Sequence, residues 1–173
     1  MARPGLIVDR DGTLIEERGY VTDAADIVLL PGVEAALERA RDAGVTVAMV
    51  TNQSAIGRGL LTTADLEALH EEIRTLGLSA IYHCPHLPDA GCDCRKPEPG
   101  MVRRAVADLD LDPSRTVIVG DHLTDCLAGR AAGVGALLVR TGHGERHAAE
   151  AEALGFRVVP DVVAAVDLFL ESL

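Results

Sequence analysis

The chain has 173 residues, a length that suits one domain with a sizeable core. Its net charge of −11 argues against a general nucleic-acid binder, which needs a basic face, and no apolar run reaches the roughly 20 residues of a membrane span. The apolar run that ends at Asp9 is too short for a signal peptide, so we expect a cytoplasmic protein with no membrane or nucleic-acid partner.

Short apolar runs alternate with helix-like stretches along the chain. The predicted strands are Leu6–Val8, Val45–Val50, Ala80–Tyr82, Thr116–Val119, Ala136–Val139 and Arg157–Val159. The predicted helices are Pro31–Ala43, Thr62–Leu76, Pro99–Leu109, Leu123–Ala132, Glu145–Leu154 and Asp161–Leu170. This alternation predicts an α/β fold with a parallel sheet covered on both faces. We expect one domain over residues 1–173, in which the charged segment Arg10–Leu30 forms a flap.

The first predicted strand ends in two carboxylates, Asp9 and Asp11, followed by Gly12, which permits a turn. Close carboxylates repel unless a cation lies between them, and Mg²⁺ prefers oxygen ligands. The pattern therefore suits Asp9 as a nucleophile that forms an aspartyl-phosphate and Asp11 as the acid and base. The alternative for an isolated Asp-x-Asp is a turn with a helix cap.

Polar residues also follow other predicted strands. Thr51–Ser54 offers hydroxyl and amide donors for phosphoryl oxygens, although small polar residues also form ordinary turns. Asp121 follows the fourth strand and would complete a magnesium shell, while Asp125 would orient a neighbour or cap the next helix. In a parallel sheet, ligands bind beyond the carboxyl ends of the strands, so together these residues favour a catalytic site over routine capping.

Lys96 is the one lysine among 16 basic residues. A compact ammonium would stabilise the negative charge of a transferring phosphoryl group. The alternative is a solvated surface lysine.

A second metal site is predicted in the loop before Lys96. Cys84, His86, Cys92 and Cys94 offer the Cys₃His ligand set of a structural zinc ion. Such an ion would stiffen the loop that presents Arg95 and Lys96. We expect Cys126 to lie in the core and His70 to lie on the exposed face of a helix.

Asp9–Leu14, Thr51–Gly59, Cys84–Met101 and Val119–Gly133 resemble, in order, the motifs of the haloacid dehalogenase superfamily of phosphatases. The resemblance runs from about residue 6 to residue 142. It implies a Rossmann-like three-layer sandwich with no large cap domain. It also implies that Asp9, the backbone carbonyl of Asp11 and Asp121 bind Mg²⁺, and that Thr51 and Lys96 stabilise the phosphoryl group. The implied substrate contacts are Arg10, Glu17, Tyr20, Asn52, Gln53, Ser54, Arg95 and His122.

The cysteine loop narrows the resemblance to the group that hydrolyses heptose 1,7-bisphosphate or histidinol phosphate. Four segments resemble the heptose enzyme: Arg18–Val21, Gly57–Gly59, Pro97–Met101 and Arg140–Gly142. The short loop from Cys84 to Cys92 resembles the histidinol-phosphate enzyme instead. His122 stands where the family usually has a lysine or arginine. We expect a monomeric phosphatase of a small phosphorylated metabolite, with the heptose bisphosphate preferred. The competing hypothesis from another class is a zinc-stabilised binding protein without catalysis.

Overall fold

The computed structural model describes residues 2–173 and is built on one parallel sheet. Its strands are β1 (Arg3–Val8), β2 (Thr46–Asn52), β3 (Ala80–Cys84), β4 (Leu111–Gly120), β5 (Gly135–Val139) and β6 (Arg157–Val159). Its helices are α1 (Val33–Asp42), α2 (Thr63–Arg74), α3 (Gly100–Asp108), α4 (Leu123–Ala132), α5 (Gly144–Ala153) and α6 (Val162–Glu171), with a 3-10 helix at Ala24–Asp26. The strand order is β3-β2-β1-β4-β5-β6.

Alternate residues of each strand enter opposite layers of the core. Leu6 and Val8 of β1 pack with α1 and α6 on one face, while Ile7 packs with α3 and α4 on the other. The expected Rossmann-like three-layer sandwich is confirmed. Over residues 2–173, the connections 9–32 and 85–99 above the carboxyl edge contain one 3-10 helix and isolated bridges but no α-helix or strand, so no large cap domain covers the sheet. No helix in the described part of the chain is both long and apolar enough to cross a membrane.

Two local expectations change in the structure. β4 begins at Leu111, five residues before the predicted start, and its early residues pair with Arg3 across an irregular register. The expectation that His70 is exposed is wrong, because its side chain is fully buried in α2. Leu66, His70 and Ile73 follow helical spacing, which places His70 on the inward face.

The segment between β1 and α1 lies at the rim of the sheet's carboxyl edge. Ile15 forms bridges with Asp11 and Leu29, and it is buried together with Leu14 and Val21. This anchoring leaves the middle of the segment, around Glu17 and Tyr20, beside the cleft described next.

Candidate active site

A cleft of about 780 Å³ opens at the carboxyl edge of the sheet. It lies near β1, which has β2 and β3 on one side and β4, β5 and β6 on the other. The strand order reverses at this point, where ligands of such sheets usually bind. Asp9, Thr51 and Asp121 line the cleft from the ends of β1, β2 and β4, and Lys96 reaches it from the loop after β3. The strand ends thus bring together the side chains that the sequence predicts for catalysis.

Lys96 forms the electrostatic centre of the cleft. Its Nζ donates to Asp9 Oδ1 at 2.7 Å and to the Val50 carbonyl at 3.0 Å, and it pairs with Asp125 Oδ1 at 2.6 Å. Lys96 is 4% exposed, which rules out a solvated surface lysine. Burial alone would lower its pKa, but Asp125 and Asp9 outweigh burial and raise it, so the ammonium stays charged.

The acidic residues fit a divalent cation. Burial, together with repulsion from neighbouring carboxylates, raises the pKa of Asp9 to about 7 and that of Asp121 to about 8. Carboxylate oxygens of Asp9, Asp121 and Asp125 all lie within 4.8 Å of one another. One ammonium does not balance this charge, and hard oxygen donors at this spacing suit Mg²⁺.

The Asp121 carboxylate is held in a narrow cradle. The His143 backbone N–H donates to its Oδ2 at 2.8 Å. Gly12 and Gly142 press against it with positive φ values of 77° and 55°, and a Cβ on either would collide with the Asp121 side chain. Glycine is therefore required at both positions for steric and conformational reasons.

Asp11 is fixed by a second network, which includes Arg10, one of the predicted substrate contacts. Arg10 donates to both Asp11 oxygens, at 3.0 and 2.9 Å, and to Gln53 Oε1 at 3.1 Å. Gln53 in turn donates to Asp11 at 3.0 Å and to the Thr51 hydroxyl at 2.8 Å. Arg10 is 1% exposed and is not among the residues that line the cleft, and its side chain orients Asp11.

The other predicted substrate contacts border the cleft. They are Glu17, Tyr20, Asn52, Gln53, Ser54, Arg95 and His122. Asn52 also pairs with the backbone of Lys96, accepting from its N–H at 3.1 Å and donating to its carbonyl at 3.2 Å. This pair of bonds fixes the lysine segment to the end of β2.

His122 stands where the family usually has a lysine or arginine, and its contacts differ from those of a fixed cation. Its Nδ1 accepts the Thr124 N–H at 3.2 Å and caps α4, and its ring packs on His147 with centroids 3.9 Å apart. Burial and then the His147 charge lower the pKa of His122, which favours the neutral ring. A neutral, capping imidazole is a weaker partner for phosphate than a fixed cation.

The sequence alone predicts no role for His143 and leaves that of Asp125 open. Asp125 pairs with Lys96 and also accepts the His122 N–H at 3.0 Å, so it both caps α4 and orients the lysine. His143 holds Asp121 through its backbone, and its ring lies 3.7 Å from Glu17. The signal for His143 was its position between Gly142 and Gly144 after β5, a strand end like the others.

The cysteine cluster lies beside this cleft. The Cys94 and Cys84 sulfurs are 3.0 Å apart, and His86 Nδ1 lies 3.2 Å from Cys94 and 3.5 Å from Cys84. With Cys92, the four ligand atoms lie within 4.8 Å of one another. All four cysteines of the chain are free thiols, and this donor set fits a tetrahedral zinc ion.

Comparisons with known proteins agree with this geometry. Residues 93–165 match the family model described as HAD-hydrolase-like. The chain is 38% identical to D-glycero-β-D-manno-heptose-1,7-bisphosphate 7-phosphatase of Pseudomonas aeruginosa, covering 99% of this chain and 100% of that protein. It is 40% identical over 156 residues to the Haemophilus ducreyi enzyme of the same name, covering 82% of this chain and 86% of that one.

A solved structure extends the likeness to three dimensions. The D,D-heptose 1,7-bisphosphate phosphatase of B. bronchiseptica, complexed with magnesium and phosphate, superposes with a TM-score of 0.91. It is 38% identical, and the match covers 98% of this chain and 99% of that one. Because sequence and fold agree over nearly the whole length, the chain belongs to the HAD-like phosphatases, in the family of the heptose bisphosphate 7-phosphatases.

Proposed function

We propose that this chain is a magnesium-dependent phosphatase that removes the 7-phosphate of D-glycero-D-manno-heptose 1,7-bisphosphate. One observation carries the proposal: Asp9, Asp11, Thr51, Lys96 and Asp121 converge in one cleft of a chain that matches such enzymes over nearly its full length. The relatives are named for the β-anomer, and we extend the proposal to that anomer.

The first half of the reaction breaks the phosphate ester. A carboxylate oxygen of Asp9 attacks the phosphorus, the bond from phosphorus to the sugar oxygen breaks, and Asp11 gives its proton to that oxygen. Arg10 and Gln53 hold Asp11 in place for this transfer. Lys96 and the Thr51 hydroxyl stabilise the charge that spreads over the phosphoryl oxygens.

The second half regenerates the enzyme. Asp11, now a carboxylate, takes a proton from water, whose oxygen attacks the phosphorus of the aspartyl-phosphate and releases Asp9 and inorganic phosphate. Asp9, the backbone carbonyl of Asp11 and Asp121 would hold Mg²⁺, and Cys84, His86, Cys92 and Cys94 would hold zinc. When bound, Mg²⁺ neutralises phosphate charge and polarises the phosphoryl group.

An Asp9→Asn variant tests the nucleophile. Because an amide does not form the acyl phosphate, we expect phosphate release to fall at least about a thousandfold while circular dichroism is unchanged. Asp42→Asn, an exposed substitution on α1, is the matched control and keeps its rate. Turnover retained by Asp9→Asn would leave the zinc-stabilised binding protein as the better hypothesis.

A second candidate substrate is histidinol phosphate. The cleft carries three acidic side chains besides the aspartates of the catalytic centre, Glu17, Asp93 and Glu98, and these suit an amine. The deciding measurement is kcat/KM on both substrates. We expect a preference for the heptose bisphosphate, and a preference for histidinol phosphate above about tenfold, ~1.4 kcal/mol of barrier, would reverse the assignment.

We extend the proposal to assembly and location. The proposed form is a single-domain monomer acting on a small phosphorylated metabolite, because Asp9, Thr51, Lys96 and Asp121 of one chain complete the catalytic centre. The free thiols of the cysteine cluster are typical of a reducing compartment, which supports a cytoplasmic location. Light scattering at micromolar concentration would contradict the monomer if it gave twice the mass of 18.2 kDa.

A further inference from the structure

A third group of metal-binding side chains lies between α2 and β3, outside the catalytic cleft. Glu67 and His70 are three residues apart on α2 and therefore share one face of the helix. His83 comes from β3, the strand that leads into the cysteine cluster. One ligand atom from each of the three residues lies within 4.8 Å of the other two.

His70 is the member that needs an explanation. Its side chain is fully buried, yet neither ring nitrogen has a hydrogen-bond partner among residues 2–173. An imidazole buried without a partner loses roughly 1–3 kcal/mol of solvation per unpaired group, and a bound ion beside it would account for such a group. Burial lowers the pKa of His70 to about 3, so its ring is neutral and offers a lone pair.

The spacing of the other two side chains suits a shared ion better than a hydrogen bond. Glu67 Oε1 lies 3.6 Å from His83 Nδ1, which is too long for a hydrogen bond. Two ligands that each lie about 2.1 Å from a tetrahedral metal are about 3.4 Å apart, close to this distance. Arg74 pairs with the other Glu67 oxygen, Oε2, at 3.1 Å and so leaves Oε1 on the side of the histidine.

We propose that Glu67, His70 and His83 form a second transition-metal site. Two imidazoles and one carboxylate suit a divalent ion such as Zn²⁺, with water in the remaining position. Glu67 and His83 are 44% and 18% exposed, which gives the ion a route from solvent. Because His83 directly precedes Cys84, the ion would tie α2 to the strand that carries the cysteine cluster.

The zinc content of purified protein tests the proposal. Wild-type protein, loaded with Zn²⁺ in saturating Mg²⁺ to occupy the catalytic carboxylates and then desalted, should retain two zinc ions per chain. Glu67→Gln and His83→Gln, both at partly exposed positions, should retain one. Glu71→Gln is the matched control, because Glu71 lies on α2 and also pairs with Arg74 but is outside the cluster, so it should retain two.

One zinc ion per wild-type chain, or two in both variants, would overturn the proposal. A Co²⁺ titration of the wild-type protein, again in saturating Mg²⁺, asks the same question without a substitution that could disturb folding. The first equivalent should give the thiolate-to-cobalt absorption of the cysteine cluster, and a second should add cobalt absorption without it. A titration that ends after one equivalent would again exclude the site.

Discussion

The cysteine cluster and the carboxylate centre are both predicted to bind metal, but the chain builds them in opposite ways. The four ligands of the cysteine cluster fall within Cys84–Cys94, so one loop contains the whole site. The carboxylate centre gathers residues as distant in sequence as Asp9 and Asp121, and only the parallel sheet brings them together. A site within one loop needs its ion to order the ligands. A site that the fold assembles from distant residues is already in place, so its carboxylates repel one another when no ion is bound.

Lys96 is where the two regions meet, so its removal should have the largest effect. It lies two residues after Cys94 and is bonded to Asp9. In Lys96→Met we expect turnover to fall about a thousandfold or more, because the fixed cation for the phosphoryl charge is lost. Steady-state kinetics would show this, with Arg104→Met, an exposed cation on α3, as the control. A fall in turnover of less than tenfold would mean that Lys96 does not link the cysteine cluster to the carboxylate centre.

The pH dependence of the free energy of unfolding should report on the repulsion within the carboxylate centre. Without metal, Asp9 and Asp121 have folded pKa values near 7 and 8, above their ordinary value of 3.8. The folded state therefore binds extra protons between about pH 4 and 8, and its stability should fall as the pH rises through that window. We expect a loss on the order of 3 kcal/mol between pH 6 and pH 8, and Mg²⁺ should restore most of it.

Urea unfolding of zinc-loaded protein at both pH values, with and without Mg²⁺, measures this effect. Asp121→Asn should remove that residue's share of the pH dependence, while the exposed Asp42→Asn should keep all of it. Equal stability of the zinc-loaded protein at pH 6 and pH 8 in the absence of Mg²⁺ would show that the carboxylates do not repel as described.

Disruption of the cysteine cluster should have the smallest of these effects on catalysis. Cys94→Ser should lose one zinc ion and lower turnover roughly ten- to hundredfold, because the loop that presents Lys96 loosens. The Mg²⁺ affinity should change by less than about tenfold, since Asn52 still anchors the Lys96 backbone. Metal analysis and Mg²⁺ titration test both statements, and Cys126→Ser, outside the cluster, should keep its zinc. If Cys94→Ser lost Mg²⁺ binding together with its zinc, the carboxylate centre would not be preformed independently of the cysteine cluster.

The same contrast explains how much could be predicted from sequence. Strand ends and cysteine spacing are local patterns, and they predict which residues gather in each group: Asp9 and Asp121 in one, and the four cluster residues in the other. The role of Arg10 depends on where its side chain turns after β1, and the bond from Lys96 to Asp125 joins parts of the chain that only the folded sheet brings together. The burial of His70 can be predicted from helical spacing, because His70 lies on the same face of α2 as Leu66 and Ile73. Residue type alone predicts the opposite, since histidine is polar.

The glycines around Asp121 make two positions unusually intolerant of change. In a saturation library, Gly12 and Gly142 should reject even alanine, and the rejection would look like a catalytic requirement although neither residue offers a side chain to chemistry. The added methyl group would push the Asp121 carboxylate out of place and twist a backbone that needs positive φ. Attempts to reshape this enzyme for other phosphate esters have more freedom at the rim, around Tyr20 and Arg95, than at these two glycines.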